Sequence, residues 1–148
     1  MSFSFSALPE YLKNVPMGVV VHSYGMRYNS KSESSKYPSF QSALDLMKHC
    51  HSIGAVGIQT TVGGWADDFS RKVREERERL GMYLEGSISL PKSSDDASRF
   101  EKEIILAKEA GAEVIRTVCL NGRRYENFKS SDDWESFIAN SIQSLQRA

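Results

Sequence analysis

Three short stretches share one pattern: Ile53-Gly54-Ala55-Val56-Gly57-Ile58, Leu80-Gly81-Met82-Tyr83-Leu84 and Ala110-Gly111-Ala112-Glu113-Val114-Ile115. Each sets a glycine between the end of a run with helical apolar spacing and the start of an apolar or β-branched run. Glycine suits the position just past a helix because it enters the left-handed region without a side-chain clash. The three glycines lie 27 and 30 residues apart. That interval holds one helix, one strand and two loops, so the chain reads as a series of βα units.

The strands expected from composition are Gly18 to Tyr24, Val56 to Val62, Met82 to Leu90 and Val114 to Leu120, and βα connections make them parallel. Helical spacing links Phe40, Ala43, Leu44, Met47 and Cys50, then Ala66, Phe69, Val73 and Leu80, then Ala97, Phe100, Ile104 and Ala107. Eight of the nine residues from Arg71 to Arg79 are charged with mixed sign, which marks a solvated outer face. A fourth helix begins after Ser130 or Ser131, with Asp132 and Asp133 in its first turn and Trp134, Phe137, Ile138, Ile142 and Leu145 as its apolar stripe. Gln146-Arg147-Ala148 offers no capping glycine and no following strand, so a fifth strand is expected to be missing. The expected architecture is α/β, four consecutive βα units with a parallel sheet, the N-terminal half of a (β/α)8 barrel whose usual length is about 250 residues. Residues 1–16 form an N-terminal extension and 17–148 the partial barrel. A flavodoxin-like open sheet is the competitor. It would want a fifth strand and a phosphate or flavin loop after the first, where Gly25 to Pro38 is long and serine-rich instead.

Nineteen Lys and Arg balance nineteen Asp and Glu. This argues against a nucleic-acid partner, which would call for a basic excess on one face. No run approaches the ~18 apolar residues of a spanning helix, and Met1 to Pro16 lacks the make-up of a secretory signal, so no membrane role and a cytoplasmic location are expected. Cys50 and Cys119 have no metal-ligand spacing and read as reduced, buried small apolar residues.

Alternation places Met82, Leu84, Ile88 and Leu90 toward the helices and Tyr83, Glu85, Ser87 and Ser89 toward a barrel lumen. Gly57, Gln59 and Thr61 share one side of the second strand, and His22 and Tyr24 share a side near the exit of the first. His22 either faces a ligand or holds a loop by a hydrogen bond. His49 and His51, in the last turn of the first helix, point apart and so share no metal. An inward Glu85 needs a partner, and Arg116 on the neighbouring strand is the obvious one, although Ile115, Thr117 and Cys119 could instead be the inward set. The loop Asn121-Gly122-Arg123-Arg124-Tyr125-Glu126 carries two guanidinium groups to the rim, either to hold a phosphate or carboxylate or as a solvated turn. Gly63-Gly64-Trp65 matches no phosphate-binding fingerprint. The serine-rich stretch Ser30 to Ser39 is either a lid or a simple connection.

Gly18-Val19-Val20-Val21-His22-Ser23-Tyr24, Leu84-Glu85-Gly86-Ser87-Ile88-Ser89-Leu90-Pro91 and Ala110-Gly111-Ala112-Glu113-Val114-Ile115-Arg116-Thr117 together resemble the xylose-isomerase-like barrels of sugar phosphate isomerases and epimerases. The resemblance runs from about Met17 to the end. It implies an eight-stranded barrel in which a divalent ion (Mn²⁺, Mg²⁺ or Zn²⁺) polarises a sugar carbonyl and stabilises an enediolate while acidic groups move the proton. In such enzymes the metal ligands come largely from the fifth to eighth strands, so no metal ligand and no catalytic residue is assigned in this chain, and no metal is expected in it alone. The substrate, a sugar or sugar phosphate, would meet His22, Tyr24, Gln59, Glu85, Arg116 and Arg123. The alternative is a non-catalytic half-barrel that binds a ligand or partner and completes its sheet as a homo-oligomer through exposed edges. A distant endonuclease-type relative would need a histidine-rich cluster and a cationic face, against three histidines and zero net charge.

Overall fold

In the computed structural model, which describes residues 15–29, 36–119 and 123–148, four strands pair in parallel in the order in which they occur. They are β1 (Gly18–Val20), β2 (Gly57–Thr61), β3 (Tyr83–Ser87) and β4 (Val114–Arg116). Between and after them lie α1 (Gly25–Asn29), α2 (Ala43–Ser52), α3 (Asp67–Leu80), α4 (Ala97–Glu109), α5 (Arg124–Asn127) and α6 (Ser131–Arg147), with 3-10 turns at Val21–Tyr24 and Ser94–Asp96. The four βα units read from the sequence are therefore present in order. Gly54, Gly81 and Gly111 all have positive φ (88°, 63° and 78°), as their place after a helix demands. At Gly81 the left-handed turn lets its own N–H reach the Glu78 carbonyl and the Met82 N–H reach that of Arg77, closing α3 before β3 begins.

Local chemistry also fixes the helix starts. Asp45 Oδ2 accepts from the backbone N–H groups of Gln41 (2.8 Å) and Ser42 (3.0 Å), anchoring α2. Ser130 and Asp133 do the same for α6, each side chain accepting from the other's backbone N–H.

The core lies between the outer face of the sheet and the helices. Leu46, Met47 and Cys50 of α2 and Val73 of α3 pack with Ile58, Met82 and Leu84; Val62, Ile88 and Leu90 pack with Phe100, Leu106 and Ala107 of α4. Trp65 and Ala112 touch both groups. Each fully buried aliphatic chain here is worth about 1.5–3 kcal/mol relative to exposure.

Several expectations are corrected. The strands are shorter than expected, β1 most of all, because residues 21–24 wind into a 3-10 turn. Three residues per turn sends His22 and Tyr24 apart instead of along one side. Both cysteines are free, but only Cys50 is buried; Cys119 is exposed just beyond the edge strand β4. The apolar stripe of α6 does not turn inward: Trp134, Ile138, Ile142 and Leu145 are exposed, while Ser141 and Ser144 are buried, Ser144 Oγ donating to the Pro91 carbonyl. The reason is topological. β4 is the sheet's last strand, so part of the surface a helix in this position covers in a closed barrel lies outside these four units. Residues 1–14 of the expected extension, 30–35 of the serine-rich segment and 120–122 of the arginine loop lie outside the described residues. Among the described residues no helix is long and apolar enough to cross a membrane.

Candidate functional site: the inner face of the half-barrel

In a parallel sheet, residues in register share a face, so the pairing sorts the inner surface into rows. The lowest row, at the N-terminal strand ends, is Gly18, Gly57 and Tyr83; the next is Val20, Gln59, Glu85 and Val114; the uppermost is Thr61, Ser87 and Arg116. Between the inward residues of β3 and β4, Gly86 and Ile115 face the helices, where a Cβ on Gly86 would lie 2.9 Å from Ile115 Cδ1 and 3.4 Å from Ala107 Cβ. This fixes the direction of β4. Val114 and Arg116 are the inward residues and Ile115 the outward one.

Tyr83 closes the lowest row. Its ring lies so close over Gly57 that a Cβ there would sit 2.4 Å from three ring carbons, and its hydroxyl reaches over Gly18. Two glycines on neighbouring strands thus make a slot for one aromatic ring. Burial first, and the Glu85 charge second, raise the Tyr83 pKa above the ordinary tyrosine value. Tyr83 thus covers the end of the inner face opposite the C-terminal strand ends, where barrel enzymes carry their sites.

Above the floor, Gln59 Nε2 donates to Glu85 Oε2 at 2.8 Å across the β2–β3 pair. The half-buried carboxylate is therefore held by an amide and not by Arg116. Glu85 stands level with Val114, whereas Arg116 stands one row higher beside Ser87, and among the described residues no ion pair joins the two. The structure thus brings Gln59, Glu85 and Arg116 onto one surface. His22 is exposed on the turn at the exit of β1. Tyr24 is turned to α2: its hydroxyl lies 3.0 Å from His49 Nε2, and its ring packs edge-on against Phe40 at 5.6 Å. Arg123 lies beyond β4 and pairs with Glu126 at 3.0 Å on the exposed surface.

Apolar periodicity did not single out two clusters that hold the loops at this end. Arg27 donates twice to the Pro38 carbonyl (Nη2 at 2.7 Å, Nε at 3.1 Å), lies 3.8 Å from the Phe40 ring centre and approaches His49 Nε2 at 3.5 Å. It straps the segment after β1 onto α2. Burial first and Arg27 second lower the His49 pKa, which favours a neutral ring able to accept at Nε2. After β3, Arg99 pairs with Asp96 and Glu103 (both 2.7 Å) and donates to the carbonyls of Ser89 and Leu90 (3.1 and 3.3 Å). Hydrogen bonds from the Arg99 guanidinium first and the Lys92 backbone N–H second hold Asp96 well below the usual carboxylate range. The spacing of Asp96, Arg99 and Glu103 on a helix was the available signal.

No protein-family model and no curated protein matches the chain. Its structure is similar to that of D-psicose 3-epimerase solved in the presence of D-fructose, with a TM-score of 0.56, 11% identity, and coverage of 86% of this chain and 45% of that one. It is also similar to D-psicose 3-epimerase from Clostridium cellulolyticum H10 with D-tagatose, with a TM-score of 0.53, 7% identity, and coverage of 88% and 47%. The fold is one half of a TIM barrel. At these identities the likeness concerns architecture alone, and the chain spans less than half the length of either solved structure. Among the described residues no three His, Cys, Asp or Glu side chains converge to hold a metal ion. The inner face thus presents Gln59 and Glu85 and, a row above, Thr61, Ser87 and Arg116 as its polar groups, with no cluster among the described residues that could hold a metal ion.

Proposed function

We propose that the chain is the first half of a sugar or sugar phosphate isomerase or epimerase, contributing substrate contacts from Gln59 and Glu85, with His22 and Arg116 at the mouth, in the cytoplasm. The observation that carries this reading is the Gln59–Glu85 pair, a positioned polar couple on the inner face of a half-barrel whose structural neighbours are sugar epimerases. A carboxylate fixed by an amide keeps its second oxygen to accept from a ligand hydroxyl, an arrangement suited to a polyol. Tyr24 and Arg123 contribute less in this reading, since their polar ends are engaged by His49 and Glu126. The divalent ion implied by the family resemblance finds no ligand set among the described residues, so its carboxylates and histidine would come from the half beyond β4. No chemical step is routed through it.

The test is turnover by a protein extended through four further βα units, assayed with a divalent ion on aldoses, ketoses and their phosphates. The expected result is epimerisation or isomerisation that falls at least tenfold in Glu85→Gln while the fold is kept. Silence across the panel in a folded, metal-loaded protein refutes the reading.

A second reading rests on the open strand edges β1 and β4 and the exposed Trp134, Ile138, Ile142 and Leu145. A non-catalytic half-barrel would pair these surfaces between two copies. Sedimentation of the 148-residue chain decides it, since a folded monomer at high micromolar concentration excludes this alternative.

A further inference from the structure

Arg116 is the only arginine in the four strands. The other described arginines near the sheet are engaged: Arg77 by Glu113, Arg99 by Asp96 and Glu103, Arg123 by Glu126 and Arg27 by the Pro38 carbonyl. Arg116 has no such partner among the described residues, because the one inward carboxylate, Glu85, sits a row lower and is already taken by Gln59. Its register neighbours are Ser87 and, one strand further, Thr61. Adjacent strands lie about 4.8 Å apart, so one guanidinium and two hydroxyls form a donor row roughly 10 Å long across the C-terminal strand ends. Arg116 is exposed on this open face, and in the lumen of a closed barrel its guanidinium would lose water, a cost that a bound anion offsets.

We infer that Thr61, Ser87 and Arg116 form an anion subsite, so that the ligand of this inner face is an anionic sugar carrying a phosphate or carboxylate group and not a neutral one. The inference rests on the sugar reading above and sharpens its substrate class. Glu85 and Gln59 would take the hydroxylated end of the ligand a row deeper, while the anionic end meets Arg116 at the mouth. Such an arrangement excludes the reverse pose, which would set the anion against the Glu85 carboxylate. Fork-like donation by Arg116 also favours a planar pair of oxygens that a lysine ammonium cannot match.

The experiment is a backbone-amide NMR titration of the 148-residue protein at low and high salt. Its probes are inorganic phosphate, a ketohexose phosphate, an aldonate and the unphosphorylated ketohexose. The expected result is a saturable shift of Thr61, Ser87 and Arg116 with the ketohexose phosphate or the aldonate, weakened by salt. Whichever of the two binds tighter names the anion. Arg116→Gln should lower that affinity about 10- to 100-fold, and Arg116→Lys should lower it less; the exposed position lets both variants fold. A response to inorganic phosphate at the same three residues, abolished in Arg116→Gln, upholds the subsite even if no sugar perturbs Glu85, in which case the sugar reading falls instead. Equal shifts of Gln59 and Glu85 by neutral and phosphorylated ketose, with Arg116 silent, overturn the subsite and leave the sugar reading standing. Silence toward every anion overturns it as well.

Discussion

Replacing Gly57 by alanine tests whether Tyr83 is the floor of the inner face. The added Cβ would stand 2.4 Å from three ring carbons of Tyr83, about 1 Å inside the 3.4 Å at which ordinary contact begins. The ring must withdraw by that distance, and its hydroxyl then leaves the space above Gly18. Overpacking of this kind costs about 1–3 kcal/mol. Against it stands the gain of replacing glycine in a strand, about 0.5–1 kcal/mol. The net expectation is a loss of about 1–2 kcal/mol, or roughly 3–6 °C in Tm for a domain of this size. Urea unfolding of wild type, Gly57→Ala, Tyr83→Ala and the double variant measures it as a cycle. In the Tyr83→Ala background the clash is gone, so Gly57→Ala should become neutral or stabilising, a coupling of at least about 1 kcal/mol. Equal effects of Gly57→Ala in both backgrounds would refute the slot and reopen the lower end of the inner face to ligands.

Ser70 is fully buried in α3 and its hydroxyl has no hydrogen-bond partner among the described residues. Ser70→Ala removes that desolvated group and improves helix propensity, so chemical denaturation should show stabilisation of about 1 kcal/mol. The pKa of His49 is lowered by burial and by Arg27, so the folded state resists the proton that the unfolded chain accepts. The stability it lends is complete above the unfolded value near 6.5 and declines as pH falls through the depressed folded value. Denaturation midpoints between pH 7.5 and 5 should therefore drop less in His49→Gln than in wild type, and equal drops would remove His49 from the account. Tyr28 donates its hydroxyl to the Ser42 carbonyl, and burial, aided by Asp45, pushes its pKa up to about 12. Ultraviolet titration comparing wild type with Tyr28→Phe should show the missing phenol ionising last, near that value, and a Tyr28 ionising near 10 would contradict its burial. Exposed Ile142 of α6 tolerates a charge: Ile142→Glu should change unfolding free energy by less than about 0.5 kcal/mol while reducing self-association in sedimentation. A large destabilisation would show that the α6 stripe is buried within the single chain.

The sequence by itself determined the repeat and its handover points. Gly54, Gly81 and Gly111 announce the helix ends because only glycine takes positive φ there without a clash. The two-residue alternation of Met82 to Leu90 assigns faces because the strand period is fixed by backbone geometry. Such local rules made four parallel βα units legible, along with an inward Gln59 and Glu85. Register is different, since it depends on how neighbouring strands slide against one another and on which packing of the outer face wins. Only the tertiary structure could set Glu85 level with Gln59 and leave Arg116 one row higher, because Gly86 must lie against Ile115 and Ala107. It alone could turn Tyr24 away to His49, where Arg27 and Phe40 hold it, and leave the α6 stripe exposed beside the edge strand. Periodicity tells a residue which way to face, whereas its partner is chosen by residues tens of positions away whose distance the chain's order does not encode.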